Sequence, residues 1–182
     1  AEIYESVEAV IAVTGEENDT DVENSSGLPP HSIEIIAYGG LDEDIAGAIF
    51  RRKAAGIQTY GNTTVAVVSS AGTTHNIKFS RPAPVNVWIK ITGLKTDSAF
   101  PLDGIERIKQ NLVNYIGSTT RGGMSIGQDV ICVTLPTEVL KVPGVVDFDL
   151  QISSDGVDFS RENITIAARE KAVTEESKVT VA

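Results

Sequence analysis

The stretch Gly27-Leu-Pro-Pro-His-Ser-Ile-Glu-Ile-Ile-Ala-Tyr-Gly-Gly-Leu-Asp-Glu-Asp44 constrains the fold of this chain more than any other. Pro29 and Pro30 cannot donate to a ladder, so they suit the start of a strand and not its middle. Residues 32–38 carry isoleucine on both alternating faces, which predicts a strand covered on two sides. Gly39 and Gly40 free the backbone to turn, and Asp42 is expected to cap a helix whose first turn holds Glu43 and Asp44. Ile45, Ala48 and Ile49 give that helix an apolar stripe, Arg51, Arg52 and Lys53 form its last turn, and Gly56 ends it. His31, beside Pro30, reads as a fastener that hydrogen-bonds the loop at the strand's start.

The pattern downstream is mixed. Residues 63–69 and 74–80 alternate on either side of Ser70-Ala-Gly-Thr73, a hairpin signal, with His75, Ile77 and Phe79 on one face. Pro82 and Pro84 interrupt the chain and mark a boundary. Over residues 85–91, Val85, Val87, Ile89 and Ile91 share a face and Trp88 lies opposite. Asp103 and Glu106 fit a capping box, and Ile105, Ile108, Leu112 and Ile116 recur at helical spacing until Gly117. Residues 118–127 read as a mobile Gly/Ser/Thr-rich loop. Residues 130–142 read as a helix that Pro136 starts or kinks. Val146, Phe148, Leu150 and Ile152 alternate with Asp147, Asp149 and Gln151, as a strand with one wet face does. Residues 163–168 and 178–182 read as short terminal strands or tails. Upstream, residues 3–13 fit a helix or a strand, and the polar residues 15–27 fit a long loop. The expected fold is α+β, with two small subdomains at 1–82 and 83–182, each a β-sheet packed by one or two helices.

Composition narrows the function classes. With 182 residues and 41% hydrophobic content the chain has enough apolar material for a core. No apolar run approaches the roughly 20 residues that span a bilayer, so no membrane partner is expected, and no signal-peptide pattern opens the chain. A start at Ala1, with the only methionine at Met124, suggests a fragment or a processed product. The single cysteine, Cys132, excludes an internal disulfide and cannot alone form a thiolate metal site. Of the charged residues, 12 acids and no lysine or arginine lie in residues 1–50, while the rest holds 13 acids against 15 bases. That acidic half argues against nucleic acid as a partner and fits a basic protein partner or a solvated face.

Several short patterns test for chemistry. Gly123-Met-Ser125-Ile-Gly127 satisfies the pattern of a nucleophile elbow, which needs a strand turning into a helix and a histidine later in the chain. Here a polar loop precedes it, and both histidines, His31 and His75, lie upstream. The flexible-loop reading is preferred, and a serine hydrolase using Ser125 is the alternative. Asp19, Asp21 and Glu23 alternate like the start of a calcium loop, but the sixth position is Asn24 and the twelfth Pro30, which is not an EF-hand. A looser cation-dependent binding module is the other alternative. Asp147 with Asp149 reads as exposed strand polarity in preference to a catalytic pair. The acids that follow Gly39-Gly40 disfavour phosphate. No catalytic, cofactor or metal residue is assigned. Candidate contact residues are Trp88 and the acidic Glu16, Glu17, Asp19 and Asp21. His31, Gly39, Gly40 and Asp42 are assigned to turns and caps.

The words Gly27-Leu-Pro-Pro-His-Ser-Ile-Glu, Gly39-Gly-Leu-Asp-Glu-Asp-Ile-Ala, Lys53-Ala-Ala-Gly-Ile-Gln-Thr-Tyr-Gly61, Phe79-Ser-Arg-Pro82 and Val142-Pro-Gly-Val-Val146 occur in this order. Together they resemble the Baseplate J family of contractile-tailed phages. The resemblance implies a structural subunit of the tail baseplate wedge, in phages, prophages or tail-like bacteriocins. It implies a place in the virion, assembly in the host cytoplasm, contacts with other baseplate and tail proteins, and self-association of the full-length protein. Members of that family are longer, so the chain would be a C-terminal part. No catalytic residues carry over, and no cofactor is implied.

Overall fold

The computed structural model describes residues 10–182, so the N-terminal part of the helix-or-strand reading of 3–13 lies outside the described residues. The chain is α+β and divides at Pro82/Ala83 into two compact units.

In the first unit, β1 (Val10–Asn18) runs antiparallel to β2 (Ser32–Gly39). The chain then forms α1 (Asp42–Arg52) and returns as β3 (Gln58–Tyr60), parallel to β2. A parallel neighbour needs a crossover, and α1 is that crossover. The Gly39 and Gly40 backbones, at φ of 76° and 74°, make the turn in a region open to glycine. A hairpin follows, β4 (Thr63–Val68) with β5 (Thr74–Phe79). Its inward face joins Ile45, Ala46, Ala48 and Ile49 of α1 in a core that includes fully buried Ile77 and Phe79. Burial of a side chain of that size contributes roughly 1.5–3 kcal/mol.

The first unit corrects several expectations. Residues 15–18 are strand and not loop, because Gly15 to Asn18 continue the ladder opposite Ile35 to Ser32. The helix stops at Arg52, short of Gly56, and Lys53 turns its ammonium to Ile57 O at 3.1 Å. Asp42 does not cap α1. Leu41 occupies the N-cap position without a side-chain cap, and the Asp42 carboxylate instead pairs with Arg81. The guanidinium brings the Asp42 carboxylate a full positive charge and two donors at once, Nε and Nη2, which a backbone N–H does not.

The second unit has β7 (Trp88–Thr96) at the centre of a three-stranded sheet, with β10 (Val179–Val181) parallel on one side and β8 (Val145–Ser153) antiparallel on the other. β6 (Ala83–Asn86) pairs in parallel with β9 (Glu170–Val173). Thus the alternating run 85–91 is split between two sheets at Val87, whose N–H donates to Val173 O. Helix α2 (Gly104–Ile116) lays buried Ile108, Leu112 and Ile116 in the same core as Ile89 and Ile91.

Three more readings change here. The helix over 130–142 shrinks to a single turn, α3 (Pro136–Val139), with Pro136 in its first turn. Val130 instead exchanges backbone bonds with Ile164, and the Cys132 N–H is taken by Asn163 Oδ1 at 3.0 Å. At the start of α2, Asp103 sits at the N-cap position but makes no cap bond, because its carboxylate accepts from Arg107 Nε at 2.9 Å. Loop 118–127 is tied down at several points. Met124 N–H bonds Ile116 O, Gly127 N–H bonds Glu170 O, and the fully buried Lys171 donates to Met124 O at 2.6 Å.

Candidate functional site

Two constellations in the first unit account for most of the residues singled out above. The first orders the acidic segment. Asn18, at the end of β1, is 3% exposed, and its Nδ2 lies 2.8, 2.7 and 3.1 Å from the carbonyls of Val22, Leu28 and Pro29. Its Oδ1 accepts from the Thr20 N–H and hydroxyl. Asn24 repeats the device: its Oδ1 accepts from Ser26 and Leu28 N–H, and its Nδ2 donates to Glu16 at 2.7 Å. Leu28 is driven fully inside as the loop's apolar anchor. His31 takes a left-handed backbone, φ 50°, and its Nε2 lies 2.9 Å from Asp21 Oδ1. That ring fastens the loop tip, although an ion pair so exposed contributes little to stability.

The outcome is an ordered loop with a charged exterior. Glu16, Glu17, Asp19, Asp21 and Glu23 are all exposed. Asn18→Ala is expected to destabilise the first unit by about 2–3 kcal/mol, since it strips buried carbonyls of their donor. Limited proteolysis should then cut the first unit faster, most of all within residues 19–30.

The second constellation is built on Arg81. Its Nη1 donates to Ala37 O at 3.0 Å and Gly39 O at 2.6 Å, its Nη2 to Gly40 O at 2.8 Å and Asp42 Oδ1 at 2.5 Å, and its Nε to Asp42 Oδ1 at 3.1 Å. The guanidinium also stands 5.2 Å from the centre of the Phe79 ring. One residue earlier, the Ser80 hydroxyl donates to the buried Glu34 carboxylate at 2.5 Å. Ser80 also exchanges backbone bonds with β2, as Ala37 N–H to Ser80 O and Ser80 N–H to Ile35 O. The Phe79-Ser-Arg segment therefore locks the end of β2, the double-glycine turn and the start of α1 into one piece. Sequence reasoning missed Arg81, Asn18 and Asn24. The available signal for Arg81 was its place between the end of β5 and Pro82, two residues after the apolar Phe79.

The remaining candidates are dispersed. Trp88 is half-buried in the second unit, with Gly156 against its indole and the Lys178 ammonium 5.6 Å from its ring centre. That arrangement uses the ring for internal packing. Ser125 is exposed, and its N–H donates to Gln128 Oε1 at 2.9 Å. No strand leads into it and no helix follows it, so the strand–turn–helix of a nucleophile elbow is not formed. Asp147 and Asp149 each hold their own cation, Lys95 at 2.7 Å and Arg161 respectively. The Lys95 hydrogen bond and charge lower the Asp147 pKa. Cys132 lines a cleft of about 450 Å³ with Val133, Pro136, Phe148, Leu150 and the Asp149–Arg161 pair. Burial raises its thiol pKa, which keeps it protonated and weakly nucleophilic at neutral pH. Among the described residues, no three His, Cys, Asp or Glu side chains gather as metal ligands, and no helix is long and apolar enough to cross a membrane.

Comparison of the chain with models of known protein families and with curated protein sequences finds no match.

Proposed function

We propose that this chain is a structural, non-enzymatic component of a contractile-tail baseplate wedge, of phage or prophage origin, that acts by binding neighbouring tail proteins. The observation that carries this reading is the role of the residues in the resembling words. Glu34, Gly39, Gly40, Ser80 and Arg81 interlock one unit. Gly61 and Gly144 lie where a side chain would strike backbone. Residues devoted to shape suit a part that transmits force between neighbours and holds them in register. The same reading places the protein in the tail of the virion, after assembly in the host cytoplasm.

The ordered acidic segment is the contact surface under this proposal. Glu16, Glu17, Asp19 and Asp21 present one sign of charge on a fixed backbone, which steers and orients a basic partner. The test adds the purified chain to contractile-tail baseplates assembled without it. Stable, salt-sensitive binding is expected, weakened at least about tenfold when Glu16, Glu17, Asp19 and Asp21 are changed to their amides or serine. Absence of binding to any baseplate component would overturn the proposal. So would labelling by a fluorophosphonate probe that disappears in Ser125→Ala.

A further inference from the structure

The hairpin strand β4 has an open edge that nothing in its sequence defends. Among the described residues β4 pairs with β5 alone. The direction of its backbone groups follows from the ladder. Ser69 N–H donates to Thr73 O, so in this register Thr63, Val65 and Val67 direct their N–H and C=O groups to β5. The same groups of Thr64, Ala66 and Val68 point outward. The Lys78 N–H, opposite Thr64, agrees with this phase, because it turns away from β4 to Thr59 Oγ1 at 2.9 Å.

Proteins normally protect such an edge with lysine, proline, a bulge or a cover. Other edge strands of this chain are defended in these ways, since β1 carries Glu16 and Glu17, β6 carries Pro84 and β8 carries Asp147 and Asp149, while β3 and β10 are only three residues long. β4 reads Thr-Thr-Val-Ala-Val-Val, and residues 61–77 contain no Asp, Glu, Lys or Arg. Threonine and valine are strong strand formers, and a charge-free run of this kind favours intermolecular pairing.

We propose that the β4 edge is a self-association surface on which β4 of a second copy pairs antiparallel. Two considerations select a second copy as occupant. A chain of net charge −10 repels its copies, chiefly through the acid-rich residues 1–50, and this uncharged run lets them approach. The edge is also self-complementary. A two-fold axis at Ala66 sets Thr64 opposite Val68 of the second copy, joins the hairpins into a four-stranded sheet, and lines up Lys78 with Thr74 of the other copy, not with a second lysine. One short strand pair is a small interface, so association is weak and strengthens where many copies are held close together. This names one partner of an assembly protein, but it rests on the strand alone. Dimerisation without baseplate binding would leave it standing, and baseplate binding without dimerisation would not rescue it.

Sedimentation of the full chain over a concentration series to about 1 mM tests it. The weight-average mass is expected to climb from 19.3 kDa toward twice that value. Ala66→Pro deletes an outward N–H and leaves the β5 ladder intact, and Ala66→Lys places a charge on the exposed face beside the axis. Each should weaken association at least about tenfold, with circular dichroism unchanged. Should the proline variant misfold, the lysine variant alone decides. A constant 19.3 kDa at all concentrations, or association unaltered by Ala66→Lys, overturns the proposal.

Discussion

Arg81→Ala is expected to destabilise the first unit by about 3–5 kcal/mol, the cost of leaving partly buried polar groups and a carboxylate without their charged donor. Three backbone carbonyls, those of Ala37, Gly39 and Gly40, lose their donor at once, and Asp42 loses its counter-ion. Such a loss corresponds to a fall in Tm of about 12 °C or more for a unit of this size. Arg81→Lys should restore less than half of it. An ammonium is a point charge on a flexible stem and cannot reach all four acceptors with the fixed fork that a guanidinium offers. Urea and thermal unfolding followed by far-UV circular dichroism measure both variants. A fall below about 1 kcal/mol for Arg81→Ala would mean that the contacts are surface decoration.

Gly61→Ala is the second large effect. A Cβ at Gly61 would lie 2.2 Å from the carbonyl carbon and 2.3 Å from the oxygen of Phe79, whose side chain is fully buried in the core. Neither backbone nor core can retreat cheaply, so a loss of at least about 3 kcal/mol is expected. Gly72→Ala in the hairpin turn is the control. Gly72 has φ 78° with nothing within 4 Å of an added Cβ, so only backbone strain of about 1–2 kcal/mol is expected. Equal costs for the two would contradict the close approach of Gly61 to β5.

These two effects show which features of the fold were legible in the sequence. Strand β2, the double-glycine turn, α1, the β4–β5 hairpin, α2 and β8 were readable because their apolar periods of 2 or 3.6 residues are long and clean. The start of α1 was misread because Asp42 is a good cap by itself, and its competitor lies 39 residues away in sequence. The same applies to residues 130–142, where apolar content suggested a helix but Asn163 and Ile164 captured the backbone. β3 and β9 are only three and four residues long, too short to show a period. The acidic segment looked like a solvated loop because its charges face outward. What orders it is Asn18 and Asn24, whose amides satisfy backbone groups that no pattern announces. His31 was read as a loop fastener and its ring bonds Asp21, while Trp88, read as a contact residue, stands half-buried against Gly156.

The central claim is that the distinctive words of this sequence build one scaffold, with Phe79-Ser-Arg clasping β2, the turn and α1. Native-state amide exchange at Ala37 and Ser80 tests it most directly, since these two N–H groups make the bonds from β2 to Ser80 and back, at 2.9 and 2.8 Å. In the wild type both amides should exchange only with unfolding of the whole first unit, and Arg81→Ala should accelerate both together by more than about a hundredfold. Rapid exchange of either amide in the wild type, or protection unchanged by Arg81→Ala, would contradict the account.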